Sequence, residues 1–198
     1  MEIPSDRQIR ALHERYAPTA EAFELVHTHC EIVCAVAEQL LDRHPGSLDA
    51  ELVRAGSLLH DIGVYLLYDA AGELDPAGYL RHGVLGHDLL RELGFPERLS
   101  RFCSHHTGAG LTAAQVRRQA LPIPVADYLA ETDEERLVMY ADKFHSKTTP
   151  PVFVSAASSR ASLRRFGEEN ATRFAALVDQ FGEPELAPLA RRYRHPVV

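Results

Sequence analysis

The sequence predicts an all-α fold, and three observations carry that expectation. Apolar residues recur at intervals of three and four, as in Leu25, Ile32, Val33, Val36 and Leu40 and again in Leu85, Leu89, Leu90 and Leu93, the period of one helix face. Runs that alternate every second residue are nearly absent. The breaks at 43–47, 70–72, 94–96, 107–110, 121–124 and 148–151 are short and each contains Gly or Pro, so they punctuate helices. At 198 residues, 45% hydrophobic and 25% charged, the chain can bury a core of its own and has the profile of one globular domain.

Helices are expected at about 19–43, 49–61, 77–93, 96–106, 112–119, 132–146 and 158–181. In the first, Leu25, His29, Ile32, Val33 and Val36 share a face, whereas His27 lies about 200° around the axis from His29; His29 is the ring expected to point inward. The second starts from Ser47 or Asp49 as a cap and ends in Leu58-Leu59-His60-Asp61-Ile62-Gly63, with the glycine as its stop. The third follows the cap-and-proline pair Asp75-Pro76 and places His82 on a stripe with Leu85, Gly86, Leu89 and Leu93. There His87 has polar neighbours, Asp88 and Arg91. The fourth aligns Leu99, Phe102, Cys103 and His106, while His105 turns toward Arg98 and Arg101. The fifth is short. The sixth opens on the capping-box pattern Thr132-x-x-Glu135 and lines up Val138, Ala141, Asp142 and His145.

These elements divide the single domain 1–198 into a core over about 19–147 and a C-terminal helical appendage over about 148–198. In the appendage Phe174, Leu177, Val178 and Phe181 form an apolar face, to be covered by the chain's own core or by a second copy in a homodimer. The basic tail Arg191-Arg192-Tyr193-Arg194-His195 reads as a solvated end.

A net charge of −7 disfavours binding to nucleic-acid duplexes or anionic membranes, which draws on clustered Lys and Arg. No run approaches the roughly 18 apolar residues of a membrane span, and Met1-Glu2-Ile3-Pro4-Ser5-Asp6 has neither a basic start nor an apolar stretch behind it. Three cysteines, Cys30, Cys34 and Cys103, lack metal-binding spacing and read as small core residues of a protein kept in the reducing cytoplasm.

Eleven histidines are more than packing requires. A histidine on an apolar face is, taken alone, most often a satisfied core residue. Here several helices each turn a histidine or a carboxylate toward the core, and each such group left unpaired costs on the order of 1–3 kcal/mol. One shared metal site satisfies them together, and Asp142 in particular needs a cationic partner. Imidazole and carboxylate ligands suit manganese, iron, cobalt, nickel or zinc. The chain's two lysines, Lys143 and Lys147, both come just after Asp142, one turn apart in a helix running through that region, and are candidates to meet an anionic substrate. Solvated lysines at a helix C-terminus are the plainer reading. In the turn Thr107-Gly108-Ala109-Gly110, Thr107 and Gly108 are candidates to offer backbone N–H groups to a phosphate, with a helix C-cap as the alternative.

The ordered pattern His29, His60-Asp61, His82, His105-His106 and Asp142, over about residues 22–147, resembles the HD superfamily of metal-dependent phosphohydrolases. The stretch His60-Asp61-Ile62-Gly63 matches its HDIG variant. Together with His82-Gly83-Val84-Leu85-Gly86 and the segment 106–112, it resembles a group of small, stand-alone, mostly uncharacterised HDIG-domain proteins. The layout is also similar to that of HD-type diadenosine tetraphosphatases.

The resemblance implies an HD-domain helical bundle with two divalent metals. The first would be held by His29, His60, Asp61 and Asp142, and Asp61 would bridge to a second completed by His82 and one or both of His105 and His106. Apart from the resemblance, His27, His87 and His145 read as residues behind the ligands or at the surface, His145 being the nearest to the site because it lies one turn after Asp142. By family analogy the metals are iron or manganese, His60 and Asp61 belong to the catalytic apparatus, and the reaction is hydrolysis of a nucleotide or another small phosphorylated metabolite by a metal-activated water. The same ligand set also serves HD-fold di-iron oxygenases, and a non-catalytic metal- or nucleotide-binding sensor is the third class open to it.

Overall fold

A computed structural model describes residues 3–44 and 46–198; Met1, Glu2 and, in the break expected at 43–47, Pro45 lie outside the described residues. The expected all-helical architecture is found. Among the described residues ten α-helices run in the order α1 (Asp6–Tyr16), α2 (Ala20–Leu41), α3 (Ala50–Leu59), α4 (His82–Glu92), α5 (Glu97–Ser104), α6 (Ala113–Arg118), α7 (Asp133–Asp142), α8 (Ala156–Arg164), α9 (Glu168–Phe181) and α10 (Leu186–Tyr193). Short 3₁₀ segments span Ile62–Leu67 and Tyr79–Arg81. A small antiparallel pair, β1 (His145–Ser146) and β2 (Val152–Phe153), follows α7.

The longest helix, α2, runs through the middle of the fold, packed on α3 and α7. Its Val26, Ile32, Val33, Val36 and Leu40 are fully buried. Helix α4 lies against α5 and against the 3₁₀ turn after α3. Local chemistry explains most starts: Thr19 Oγ1 accepts from Ala22 N at 3.1 Å, Asp49 Oδ1 from Leu52 N at 3.0 Å and Thr132 Oγ1 from Glu135 N at 3.2 Å. The capping box expected at Thr132 is only half made. The Glu135 carboxylate turns instead to Arg101, with Oε1 2.6 Å from Nε and Oε2 3.1 Å from Nη2.

Several boundaries differ from expectation. Helix α1 was not expected: it is short and mostly polar, and its apolar stripe is the thin one of Ile9, Leu12 and Tyr16. Its capping signal is Gln8 Oε1, which accepts the Ser5 N–H at 2.9 Å. Asp75 caps a turn, accepting from Ala77 N and Gly78 N, so α4 starts at His82. The sixth expected helix stops at Asp142, and the chain turns into β1, so Lys143 and Lys147 are not one helical turn apart. The helix expected over 158–181 is two, broken at Gly167, whose φ of +124° no helix accommodates. The face of Phe174, Leu177 and Phe181 is buried in the chain's own core, with Phe174 against Tyr140 and Phe144. In the tail Arg191, Arg192 and Arg194 are exposed, as expected of a solvated end, but the chain then returns to the fold, and residues 196–198 pair with β2.

Both α2 histidines are buried, contrary to the expectation that only His29 points inward. The wide buried arc of α2 meets α7 on one side and α1 on the other. His27 stacks on Phe23 with ring centroids 4.9 Å apart and meets His13 of α1 edge-on at 5.1 Å. His13 is fully buried; its Nε2 donates to Leu58 O at 2.8 Å and its Nδ1 accepts from the Tyr65 hydroxyl at 2.9 Å.

Burial pushes the His13 ring down to about 4. The unfolded chain therefore binds a proton below about pH 6.5 that the folded protein does not accept until about pH 4. Stability is full above that window and is lost as pH falls through it. Urea unfolding of wild type and His13→Gln at pH 7 and pH 5 is expected to show a pH-dependent loss smaller by about 2 kcal/mol in the variant. Equal losses in the two proteins would show that His13 does not contribute.

Candidate metal centre

Helix ends converge on one buried point beside α2. His60 and Asp61 close α3, His82 opens α4, His106 follows α5 by two residues, and Asp142 is the last residue of α7. His29 reaches in from the body of α2. These sites are where a chain can turn a polar group inward without breaking a helix, since the backbone there already leaves its hydrogen-bond ladder.

Asp61 is the hub, 1% exposed. Its Oδ2 lies 3.3 Å from His29 Nε2 and 3.6 Å from His60 Nε2 and is also bound by Lys147 Nζ. Its Oδ1 lies 3.3 Å from His82 Nε2 and 3.5 Å from His106 Nε2. Asp142 Oδ1 is 3.0 Å from His29 Nε2 and 3.5 Å from His60 Nε2, while its Oδ2 takes Lys143 Nζ at 2.6 Å. The ligand atoms of His29, His60 and Asp142 lie within 4.8 Å of one another, as do those of His60, Asp61 and His106.

The backs of the rings decide what the fronts can do. His60 Nδ1 donates to Ser57 O at 2.7 Å, His82 Nδ1 to Tyr79 O at 2.6 Å and His106 Nδ1 to Phe102 O at 3.0 Å. A neutral imidazole that donates from Nδ1 carries a lone pair on Nε2. Yet His82 Nε2 is 3.0 Å from His106 Nε2, and both rings donate from Nδ1. Two lone pairs at such a distance repel unless a cation is shared between them, and carbonyl acceptors behind ligating histidines are the usual arrangement at metal sites. The donor set therefore fits a divalent transition metal.

The titration behaviour points the same way. Burial, with Lys147 next, pushes His29 down to about 4, and burial does the same to His82. Burial opposes ionisation of Asp61 and Asp142, but Lys147 beside the first and Lys143 beside the second hold both well below the usual carboxylate range. Burial also works against a charged His60, but Asp61 and Asp142 carry it well above the usual histidine value.

Of the residues singled out from the sequence, His29, His60, Asp61, His82, His106 and Asp142 come together here. His105 does not. The chain leaves the helix at that position (φ −110°, ψ 11°), which frees His106 to reach Asp61, but His105 turns the other way, its Nδ1 2.6 Å from Ser104 Oγ and its ring beside Tyr128. Lys143 and Lys147 line a cleft of about 470 Å³ that also takes in Tyr68, Tyr79, Asp142 and Ser159. Thr107 and Gly108 are not among its lining residues. The Thr107 carbonyl accepts from Gly110 N at 3.1 Å, closing a tight turn. Cys30, Cys34 and Cys103 are buried free thiols. His145 lies behind His29, and burial with His29 and His195 beside it pushes it down to about 2. His195 was missed, because no periodicity links a chain end to a site 50 residues upstream.

A family model for the HD domain matches residues 26–147, more than half of the chain. The chain belongs to the HD domain family. This HD segment accounts for every side chain around Asp61. A tRNA (cytidine(56)-2'-O)-methyltransferase of Picrophilus torridus is 36% identical over 125 residues, which cover 63% of this chain and 33% of that enzyme. An uncharacterised protein of Methanocaldococcus jannaschii is 38% identical over 122 residues, 60% of this chain and 65% of that protein. The matched segment is thus about a third of the methyltransferase and just under two thirds of the archaeal protein. The HD domain of the L. monocytogenes phosphodiesterase PgpH superposes with a TM-score of 0.57 over 95% of this chain and 100% of that one, at 18% identity. The same domain in complex with cyclic-di-AMP gives 0.55 over 94% and 97%, at 17% identity. At those identities the likeness is one of fold. Among the described residues no helix is long and apolar enough to cross a membrane.

Proposed function

We propose that this HD-domain protein is a metal-dependent phosphohydrolase that cleaves a nucleotide or another small phosphorylated metabolite at a two-metal site. The observation that carries the reading is the position of Asp61: one carboxylate oxygen faces the pair His29 and His60, the other the pair His82 and His106. That is the disposition of a bridging ligand. His29, His60 and Asp142 would complete one position, and His82 and His106 the other. Two divalent ions so held supply a water ionised near neutral pH and positive charge for the phosphoryl oxygens.

The chain's own residues do the rest. Asp61 and Asp142, kept ionised by the adjacent lysines, hold negative charge in a buried site without waiting for a proton to leave. Lys147 has its ammonium on Asp61 and also lines the cleft, and Lys143 stands the same way to Asp142. A phosphate entering the cleft would meet both ammonium groups, already held in place by their carboxylates. Leu25, Val64, Leu74 and Leu163 with Tyr68 and Tyr79 give the cleft an apolar wall, suited to a base or another flat organic group. The PgpH domain crystallised with cyclic-di-AMP is consistent with a nucleotide. The methyl transfer named for the Picrophilus torridus enzyme belongs to a protein of which this chain matches 33%.

Metal content after purification without chelators, paired with phosphate release from a nucleotide panel under manganese, iron and cobalt, tests the reading. About two metal equivalents with phosphate release is the expected result. Two equivalents of iron with oxygen consumption and no hydrolysis would replace the hydrolase by an oxygenase. Nucleotide binding without turnover would make the protein a sensor.

A further inference from the structure

Two further imidazoles connect the centre to the C-terminal residues. His29 Nδ1 lies 2.9 Å from His145 Nδ1, and His145 Nε2 lies 3.0 Å from His195 Nδ1. The His145 and His195 rings stack, with centroids 5.2 Å apart and planes at 21°. His145 is buried on β1 and packed edge-on against Phe153. His195 owes its place to the backbone around it. Phe153 N donates to Pro196 O at 2.8 Å, Val198 N to Phe153 O at 2.9 Å and Ser155 N to Val198 O at 2.7 Å, so residues 196–198 run beside β2 as an added strand.

The three rings hold their protons in a correlated way. When His29 carries its proton on Nε2, that N–H donates to Asp142 Oδ1 at 3.0 Å. His29 Nδ1 then accepts from His145, and His145 Nε2 accepts from His195. When His29 Nε2 is instead a metal ligand, its Nδ1–H must donate to His145 Nδ1. His145 then carries its proton on Nε2 and donates it to His195 Nδ1. Every ring keeps one proton throughout, and each changes tautomer.

We propose that His145 and His195 are positioning residues of the metal centre, which hold the His29 ring in the orientation and tautomer that turn its Nε2 to the cation. The tail that carries His195 is thereby part of the site. The proposal rests on the metal-centre reading above and adds to it two residues that touch neither metal nor substrate. Partners of this kind behind a ligating histidine typically change metal affinity about 10–100-fold.

The full chain titrated with zinc and followed by long-range ¹H–¹⁵N spectra of its histidine side chains tests this without a variant. Zinc is expected to convert His145 and His195 from the Nδ1–H to the Nε2–H tautomer. In parallel, His195→Ala is expected to weaken zinc binding about tenfold. His195→Asn, whose amide oxygen stands near the place of Nδ1 and can accept, is expected to recover most of that loss. Zinc bound by the wild type with unchanged tautomers, or with unchanged affinity in His195→Ala, would overturn the role of the tail and leave the metal centre standing. A wild-type protein that binds no zinc, manganese or cobalt would overturn both.

Discussion

Asp61→Asn is expected to strip the protein of at least one metal equivalent and to lower phosphate release by more than roughly 10³-fold, about 4 kcal/mol in the barrier. The size follows from the number of groups that depend on this carboxylate. Four histidine Nε2 atoms lie within 3.6 Å of it, distributed over both oxygens, so neutralising it weakens both metal positions at once. The asparagine keeps the shape of the side chain, and its amide can donate to one ring but offers no charge to a bridging position. Lys147 loses its buried counter-ion in the same step. Breaking a buried pair from one side costs about 3–5 kcal/mol when the remaining charge cannot escape; Lys147 lines the cleft and can turn into it, so a smaller loss is expected. Circular dichroism should show a folded protein, and elemental analysis a metal-poor one. An Asp61→Asn protein retaining two metals and full turnover would remove Asp61 from its bridging place. Asp61→Ala is expected to lose the same metal and activity, with a larger loss of stability because a space opens between the rings.

What the sequence made legible was set by periodicity and by the residue types themselves. Leu25, His29 and Ile32 fall on one face of α2 because three- and four-residue spacing needs no knowledge of what covers it, and the HD pattern of His29, His60-Asp61 and Asp142 could be found along the chain. The misses share a physical cause. His27 is buried because α1 covers it, and α1 is short and mostly polar, with only the thin stripe Ile9, Leu12 and Tyr16 to mark it. His105 and His106 both stand where α5 ends, and only the backbone turn at His105 decides which ring reaches Asp61. The break in 158–181 had a signal in Gly167, but apolar spacing on either side outweighed it. His195 depends on strand pairing between residues 153–155 and 196–198, a long-range contact without a local trace.

Gly63 shows how a residue can be identified correctly and explained wrongly. The sequence suggested a helix stop, yet α3 has already ended at Leu59, and Gly63 lies inside the 3₁₀ turn with no left-handed backbone to favour glycine. Its reason is space. A Cβ at this position would stand 2.1 Å from His82 O, 2.3 Å from Gly86 N and 2.7 Å from Gly86 Cα. All three are backbone atoms of the first turns of α4, so no side-chain rotation relieves the clash, and the helix itself must back away. Overpacking usually costs about 1–3 kcal/mol; with rigid backbone on both sides, Gly63→Ala is expected at about 4 kcal/mol, a fall in Tm of roughly 10 °C for a chain of this length. The displaced helix carries His82, so the position shared by His82 and His106 is expected to lose metal before the one shared by His29 and His60. Gly86→Ala provides the comparison, because its Cβ would meet the Cys103 side chain at 3.1 Å and 3.2 Å and Gly63 N at 3.1 Å. That contact is tight, but small adjustments can relax it, and the expected loss is about half as large. Calorimetry with stepwise cobalt titration of both variants separates the cases. Wild-type Tm and two-metal binding in Gly63→Ala would mean that the close approach of the turn to α4 does not set the geometry around Asp61.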